Sequence, residues 1–445
     1  MPTPPMAPVR RPNVVFIVAD DLGYADLGCY GGRPATFGAV SPVIDGIAAA
    51  GIRFTQGYSN SPVCSPTRFA LMTGRYQYRL RGAAEEPINN RSRGSATLGL
   101  PPEHPSLPSL LRGAGYRTAL VGKWHLGYPP HFGPLRSGYE EFFGPMSGGV
   151  DYFSHCSSGG EHDLWEGEEE AHDIGYLTDL ISQRAVDYIL RTAGGDAPFL
   201  LSLHYTAPHW PWETRDDAAV SAEVGGKLFH LHGGDIHTYR RMIHHMDEGI
   251  GRVLEALAAR GALEDTLVIF TSDNGGERFS DNWPLVGGKM DLTEGGIRVP
   301  WVAQWPALIQ PSRVSRQQCM TMDWTATVLA AAGVAAAPDH PLDGVSLLDV
   351  LRGGPGFERP MHWRMNHRGQ RAMRSGRWKY LRVDGHDYLF DIDTDERERA
   401  NRAPLEAERL AQMRSDWERW NATMPPIPAD ATVSLGYSSK DMPQR

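Results

Sequence analysis

The stretch Cys64-Ser65-Pro66-Thr67-Arg68 places a thiol, a proline and a guanidinium within five residues, and continues Phe69-Ala70-Leu71-Met72-Thr73-Gly74. Proline suits a first helical position, because its missing N–H would be unpaired there anyway. Thr73-Gly74 then stops the helix. Cys64 would thus lie at a helix N-terminus, where the macrodipole favours negative charge, with Arg68 one turn on. A reactive thiol needs exposure and electropositive surroundings. A lone cysteine is more often a small buried thiol, so the meaning of Cys64 depends on the residues that accompany it.

Four further polar clusters each follow an apolar run: Asp20-Asp21, Lys123 with His125, His209, and Asp273-Asn274. In open parallel sheets, ligands bind outside the carboxyl ends of the strands, so all four clusters would face one rim. Singly, an Asp after a strand reads equally as a cap or turn residue. Four such clusters at one rim point to a site instead. Asp20, Asp21, Asp273 and Asn274 are hard oxygen ligands, and no Cys or extra His joins them at zinc-like spacing. That selects Ca²⁺ or Mg²⁺, and the carboxylate-plus-amide mix favours Ca²⁺. Around the cation would stand Arg68, Lys123, His125, His209 and Lys289. A metal with fixed cations and two histidines suits a tetrahedral oxyanion. The reaction class is transfer or hydrolysis of a sulfuryl or phosphoryl group.

The elements that must position these residues alternate between strand and helix. Residues 14–19, 117–121, 199–204 and 267–272 are short, apolar and β-branched, the pattern of strands buried on both faces. Helices are expected over 41–48, stopped by Gly51, and over 64–73, 107–111, 177–190 and 239–257. One more strand is expected over 299–304. The alternation predicts an α/β fold, a large mostly parallel sheet flanked by helices. Residues 129–172, rich in Gly and aromatics, read as long loops on the rim. Near 355 the texture changes. Short strands at 371–373, 378–383 and 388–390 predict a small antiparallel sheet, followed by a helix over 405–420. A catalytic α/β domain over 1–355 and a smaller C-terminal domain with tail over 356–445 follow.

The whole set of motifs resembles the formylglycine-dependent sulfatases of the alkaline phosphatase superfamily. Their signature, Cys-x-Pro-x-Arg followed by four residues and Thr-Gly, is matched by Cys64, Pro66, Arg68, Thr73 and Gly74. Asp20-Asp21-Leu22-Gly23, Gly122-Lys123-Trp124-His125-Leu126-Gly127, Ala207-Pro208-His209, Ser272-Asp273-Asn274-Gly275, Gly287-Gly288-Lys289 and Glu294-Gly295-Gly296-Ile297-Arg298-Val299-Pro300 match the family's other blocks in order. The resemblance runs from residue 13 to about 400. It implies that Cys64 is oxidised to formylglycine by a formylglycine-generating enzyme, and that the hydrated aldehyde, held on Ca²⁺, attacks sulfur. It further implies that His209, helped by Lys289, protonates the departing alcohol. His125 would then deprotonate the second hydroxyl, with Arg68 and Lys123 neutralising sulfate charge. Small-molecule or carbohydrate sulfate esters are the expected substrates, arylsulfatase-like. Two alternatives stay open: a phosphonate monoester or phosphodiester hydrolase using the same site, and a non-catalytic anion-binding relative.

Composition sets outer bounds. The 445 residues carry a net charge of −9 and no basic run, which argues against a nucleic-acid surface. No apolar run approaches the ~18 residues of a membrane span. Residues 14–19 are too short for a secretion-signal core and lack a small-residue cleavage site, so a cytoplasmic location is expected. Cys29, Cys156 and Cys319 are expected to be free structural thiols. Asn90-Arg91-Ser92 and Asn421-Ala422-Thr423 then count as chance matches to the glycosylation pattern. His204 reads as a core histidine. Trp210 and Trp212 suit either a leaving-group pocket or packing. Asp151, Tyr152, His155 and Trp283 are expected near the rim as specificity residues. His230, His232, His237, His244 and His245 read as solvated histidines.

Overall fold

The computed structural model describes residues 11–32, 38–224 and 233–434. Its centre is a ten-stranded sheet. The strands are β1 (Asn13–Ala19), β2 (Ile52–Phe54), β3 (Arg117–Gly122), β4 (Glu141–Gly144) and β5 (Trp165–Glu166). They continue with β6 (Glu169–Glu170), β7 (Phe199–His204), β8 (Thr266–Ser272), β9 (Trp301–Gln304) and β10 (Arg313–Ser315). The spatial order is β10-β2-β9-β8-β1-β7-β3-β4-β5-β6. Strands β8, β1, β7, β3 and β4 run parallel, with Ile17 level with both Leu203 and Phe270. Towards the edges β9, β5 and β6 pair antiparallel.

Alternation along β1 feeds two cores. Val15, Ile17 and Ala19 join one cluster, and Val14, Phe16 and Val18 the other. Because both faces are covered, the strand needs apolar residues at every position. The first face is covered by α1 (Pro42–Ala50), α3 (Leu177–Thr192) and α4 (Ile236–Ala259); the second receives α2 (Cys64–Thr73) and α5 (Thr321–Ala332).

Helix α2 is buried along its whole length. It starts at Cys64, with Val63 as its cap, so Pro66 is the third helical residue, not the first. Its missing N–H still falls among the first four donors that have no intrahelical partner. Gly74 ends the helix at φ +65°, returning its N–H to the Ala70 carbonyl. There a Cβ would come within 2.8 Å of Leu342.

The C-terminal strands are β11 (Met361–Arg364), β12 (Arg371–Ser375), β13 (Trp378–Val383) and β14 (His386–Asp391), an antiparallel meander. Helix α6 (Ala407–Asn421) packs Met413 and Trp417 against Met373, Tyr380 and Leu389. The other face carries Trp363, Ala372 and Leu381 into a cluster that contains Tyr58, Cys64 and Leu292. A buried ion network ties the sheet down there: Lys379 Nζ lies 2.9 Å from Glu294 and 2.8 Å from Glu398.

Three elements differ from expectation. Residues 129–172 are largely loop but include β4, β5 and β6, which are too short and too near the sheet edge to leave a period. The expected strand over 299–304 begins at Trp301 and runs antiparallel to β8. Helix α5 is buried on nearly every side, so it has no polar face to betray a helical repeat. Among the described residues no helix is long and apolar enough to cross a membrane.

Candidate active site

The carboxyl ends of β1, β3, β7 and β8 deliver Asp20-Asp21, Lys123, the His209 loop and Asp273-Asn274 to one place. Each carboxylate there meets a cation. Lys123 Nζ lies 2.5 Å from Asp20 Oδ2, and both side chains are fully buried. Arg68 reaches Asp273 Oδ2 with Nε at 3.0 Å and Nη2 at 2.9 Å, and its Nη1 donates to the Lys123 carbonyl at 3.1 Å. Lys289 Nζ sits 2.6 Å from Asp21 Oδ2, and Asn274 Nδ2 donates to Asp21 Oδ1 at 2.7 Å. His209 Nε2 stands 3.5 Å from Asp21 Oδ2. Buried pairs of this kind cost desolvation on both sides and contribute little net stability. They make sense as a preorganised charge array. Asp21 holds a left-handed φ of +62°, the backbone strain that clusters at functional sites.

The titration behaviour follows. Burial pushes the Asp20 carboxyl above its usual range; Asp273 and Asp21 add to that, and Lys123 opposes it. Burial also works on Asp21, but Lys289, and His209 behind it, outweigh burial and hold it below the carboxylate range. Burial pushes the Cys64 thiol up to about 12, so the side chain as encoded is a neutral thiol at neutral pH.

Two buried oxygens in this array, Asp20 Oδ1 and Asn274 Oδ1, have no hydrogen-bond partner. Unpaired buried acceptors are costly, and a cation is the partner an acceptor-only site takes. Asp20 and Asp273 also bring ligand atoms within 4.8 Å of each other and of Cys64 Sγ. The donor set is carboxylate and amide oxygen, which fits a hard divalent cation.

Cys64 lies in the wall of a cleft of about 270 Å³ together with His125, His209 and Lys289. The rest of its lining includes Asn89, Asn90, Tyr128, Ser147, Trp210 and Glu277. His125 Nε2–H donates to the Ile88 carbonyl at 2.7 Å, and Nδ1 is buried without a partner. That bond fixes the tautomer with a lone pair on Nδ1. Burial, then the Lys123 charge, holds the ring well below its ordinary pKa. His209 Nδ1–H donates to the Trp210 carbonyl at 2.5 Å, and the Tyr152 hydroxyl donates to the His209 carbonyl at 2.9 Å. Burial and Lys289 lower the His209 pKa as well.

The structure therefore brings Cys64, Arg68, Lys123, His125, His209, Lys289, Asp20, Asp21, Asp273 and Asn274 together. His204 is buried, with Nδ1 3.3 Å from the Lys123 carbonyl and 3.4 Å from Arg68, a place in the core behind the site. Trp210 lines the cleft, whereas Trp212 packs edge-on against Phe279. Asp151, Tyr152 and His155 are buried and do not line the cleft. They brace its loops instead: Asp151 accepts from the Phe153 and Ser154 N–H groups, and His155 Nε2 donates to the Gly175 carbonyl. Trp283 is exposed and stacks under Arg397, 3.9 Å from its ring, outside the cleft lining. His237, His244 and His245 sit on α4. His244 is half-buried beside Glu248, and His245 is buried against Tyr176, contrary to a solvated role. His230 and His232 lie outside the described residues. All four cysteines are unpaired.

Sequence reasoning missed Glu277, which stands three residues past Asn274 with Oε1 3.6 Å from Lys289 Nζ. Burial, opposed by Lys289, pushes its carboxyl up to about 7. Its place just beyond Asp273-Asn274 was the available signal. Ser434 also lines the cleft and carried no signal at all. It comes from a C-terminal strap over 425–434. Arg364 Nη2 donates to the Pro425 carbonyl at 2.6 Å, Ser434 N donates to the Glu86 carbonyl at 2.8 Å, and Asn89 Nδ2 donates to Ser434 Oγ at 2.6 Å.

A mostly parallel sheet with cations and oxygen ligands gathered at its strand ends defines a hydrolase site for esters of a tetrahedral oxyanion. The comparisons with known proteins narrow this. The Sulfatase family model matches residues 12–334. N-acetylgalactosamine-6-sulfatase of Canis lupus familiaris is 34% identical over 386 residues, covering 82% of this chain and 70% of that protein. Arylsulfatase A of Homo sapiens is 32% identical over 412 residues, covering 84% and 75%. The crystal structure of Ps i-CgsB in complex with k-i-k-neocarrahexaose matches with a TM-score of 0.83 and 30% identity, covering 94% of both chains. The chain belongs to the sulfatase family and is a sulfuric ester hydrolase.

Proposed function

We propose that the chain hydrolyses carbohydrate sulfate esters to a sugar alcohol and inorganic sulfate, with Cys64, matured to formylglycine, as the nucleophilic position. One observation carries this reading: Arg68, Lys123 and Lys289 converge with Asp20, Asp21, Asp273 and Asn274 beside Cys64 in the cleft. The saccharide class is supported by the cleft's amide, hydroxyl and aromatic lining from Asn89, Asn90, Ser147, Tyr128 and Trp210. It is also supported by relatives named for N-acetylgalactosamine 6-sulfate and by the neocarrahexaose complex.

Asp20, Asp21, Asp273 and Asn274 would hold Ca²⁺, which supplies Lewis-acid charge to the sulfate oxygens. Formylglycine at position 64, made by a formylglycine-generating enzyme, supplies the hydrated aldehyde as nucleophile. The chain's other residues do the rest. Arg68 and Lys123, fixed by their carboxylates, offset negative charge on the sulfuryl group. The Lys289–His209 pair stands at the leaving-group end and supplies the proton that the departing alcohol oxygen takes up. His125, with its Nδ1 lone pair free, accepts the proton whose removal lets sulfate go.

The test compares kcat/KM for sulfated monosaccharides, 4-nitrophenyl sulfate and a phosphonate monoester with the 4-nitrophenyl leaving group, using enzyme whose residue 64 is verified by mass spectrometry. Efficient turnover of a sulfated sugar supports the reading. Faster turnover of the phosphonate would overturn the sulfate preference, and turnover confined to aryl sulfate would overturn the saccharide class.

A further inference from the structure

Lys289 has a four-carbon stem and a rotatable ammonium with three donors. Such a group needs more than one partner to hold a direction. Asp21 supplies one at 2.6 Å and Glu277 a second at 3.6 Å. Asp21, His209 and Glu277 offer oxygen and nitrogen atoms all within 4.8 Å of one another, so the ammonium stands among three polar groups at the same end of the cleft. Glu277 Oε1 is buried and has no hydrogen-bond partner, leaving its lone pairs turned to Lys289 as the nearest cation. The backbone fixes this relation. Lys289 N donates to the Gly276 carbonyl at 3.2 Å, and Asn282 Nδ2 donates to the same carbonyl at 3.0 Å. The two loops that carry Glu277 and Lys289 are thereby joined next to both side chains.

We propose that Glu277 is the positioning residue of leaving-group protonation: its carboxylate gives Lys289 Nζ a second anchor beside Asp21, which fixes the rotation of the ammonium and holds one N–H towards the departing oxygen. The proposal rests on the leaving-group role given above to Lys289. In the step concerned the S–O bond to the alcohol breaks, and its electron pair stays on the alcohol oxygen. One N–H bond of the Lys289–His209 pair breaks as the O–H bond forms. Without Glu277, Asp21 is the remaining carboxylate partner, and an ammonium held at one point turns freely and no longer keeps an N–H on the departing oxygen. Glu277 itself transfers no proton.

A structural role would lower activity towards every substrate alike. A positioning role predicts a loss that grows as the leaving group worsens, because an activated phenolate leaves without help. The experiment measures kcat and KM for a series of aryl sulfates from 4-nitrophenyl to unsubstituted phenyl, with wild type, Glu277→Gln, Glu277→Asp and Lys289→Met. For Glu277→Gln, kcat should fall less than about 3-fold on 4-nitrophenyl sulfate and about 30–100-fold on phenyl sulfate, within the range of one general acid. KM should change little, and Glu277→Asp should recover part of the loss. Equal losses across the series, or none, would overturn the proposal. If Lys289→Met steepens the dependence and neither Glu277 variant does, the Glu277 assignment alone fails. If none of the three steepens it, the leaving-group role of Lys289 fails with it.

Discussion

Cys64 illustrates how little a residue type says before its neighbours are known. Its burial and helix-start position suit an ordinary core thiol, and burial pushes its pKa up to about 12 rather than towards a reactive thiolate. What marks it is the company of Asp20, Asp273 and two lysines. If the cation ligands and the nucleophilic position are separate parts of one site, they should separate by mutation. Cys64→Ala should reduce turnover of any sulfate ester by at least about 10³-fold, the scale of losing a covalent nucleophile. It should still show a calcium-dependent rise in melting temperature, since a ligand at 100 times its Kd adds about 2.7 kcal/mol. Calorimetry with and without calcium, beside a sulfate-release assay, checks both halves. Residual activity near wild type would sink the nucleophile assignment, and no calcium response in either protein would sink the cation site.

The strands were legible and the loops were not. A run such as 14–19 or 267–272 must be apolar at every position because both its faces are covered, and that requirement is written in the sequence. The polar residue that ends such a run is therefore legible too, which is why Asp20, Asp21, Asp273 and Asn274 could be named. Helix α5 failed for the opposite reason: a helix buried nearly all round has no periodic contrast. Asp151, Tyr152 and His155 could be located in loops near the site, yet nothing local says whether a loop side chain faces substrate or braces the backbone. Gly148 shows what the braced loops do. A Cβ there would lie 2.4 Å from His125 Cε1 and 2.6 Å from its Nε2, the nitrogen bonded to Ile88. Gly148→Ala should thus displace the imidazole while leaving the sheet intact. We expect kcat to fall by about 10²-fold, the lower range for misplacing a general base. Gly149→Ala, whose Cβ would stay 3.0 Å from His209 Cε1, should cost less. Steady-state kinetics on one aryl sulfate would decide the order, and wild-type kcat in Gly148→Ala would refute the constraint.

At the scale of the whole molecule, several buried carboxyls outside the cluster of Asp20, Asp21 and Asp273 have pKa values raised in the folded state. Burial, followed by the neighbouring Asp151 charge, pushes Glu213 up to about 8; burial pushes Glu86 up to about 7 and Asp247 up to about 6. A raised folded-state pKa means that the native protein holds a proton that the unfolded chain has already lost. The stability from each such group is complete below the ordinary carboxyl pKa and is lost as pH rises through the folded value. For Glu213 that window runs from about 4.5 to about 8. These carboxyls should therefore contribute more stability at mildly acidic than at mildly alkaline pH. Glu213→Gln, which is neutral throughout, should remove roughly 1–3 kcal/mol of that slope. Melting temperatures of both proteins between pH 5 and pH 9 measure it. Parallel curves would show that Glu213 does not carry the effect.

The C-terminal strap has a practical consequence for anyone handling the protein. Ser434 stands in the cleft lining, held there by the Glu86 carbonyl and by Asn89. A proteolytic nick within 425–433 would therefore loosen part of the cleft wall without cutting any strand of the large sheet. Activities measured on intact and on nicked protein are thus not interchangeable for large sulfate esters, even where they agree for a small aryl ester.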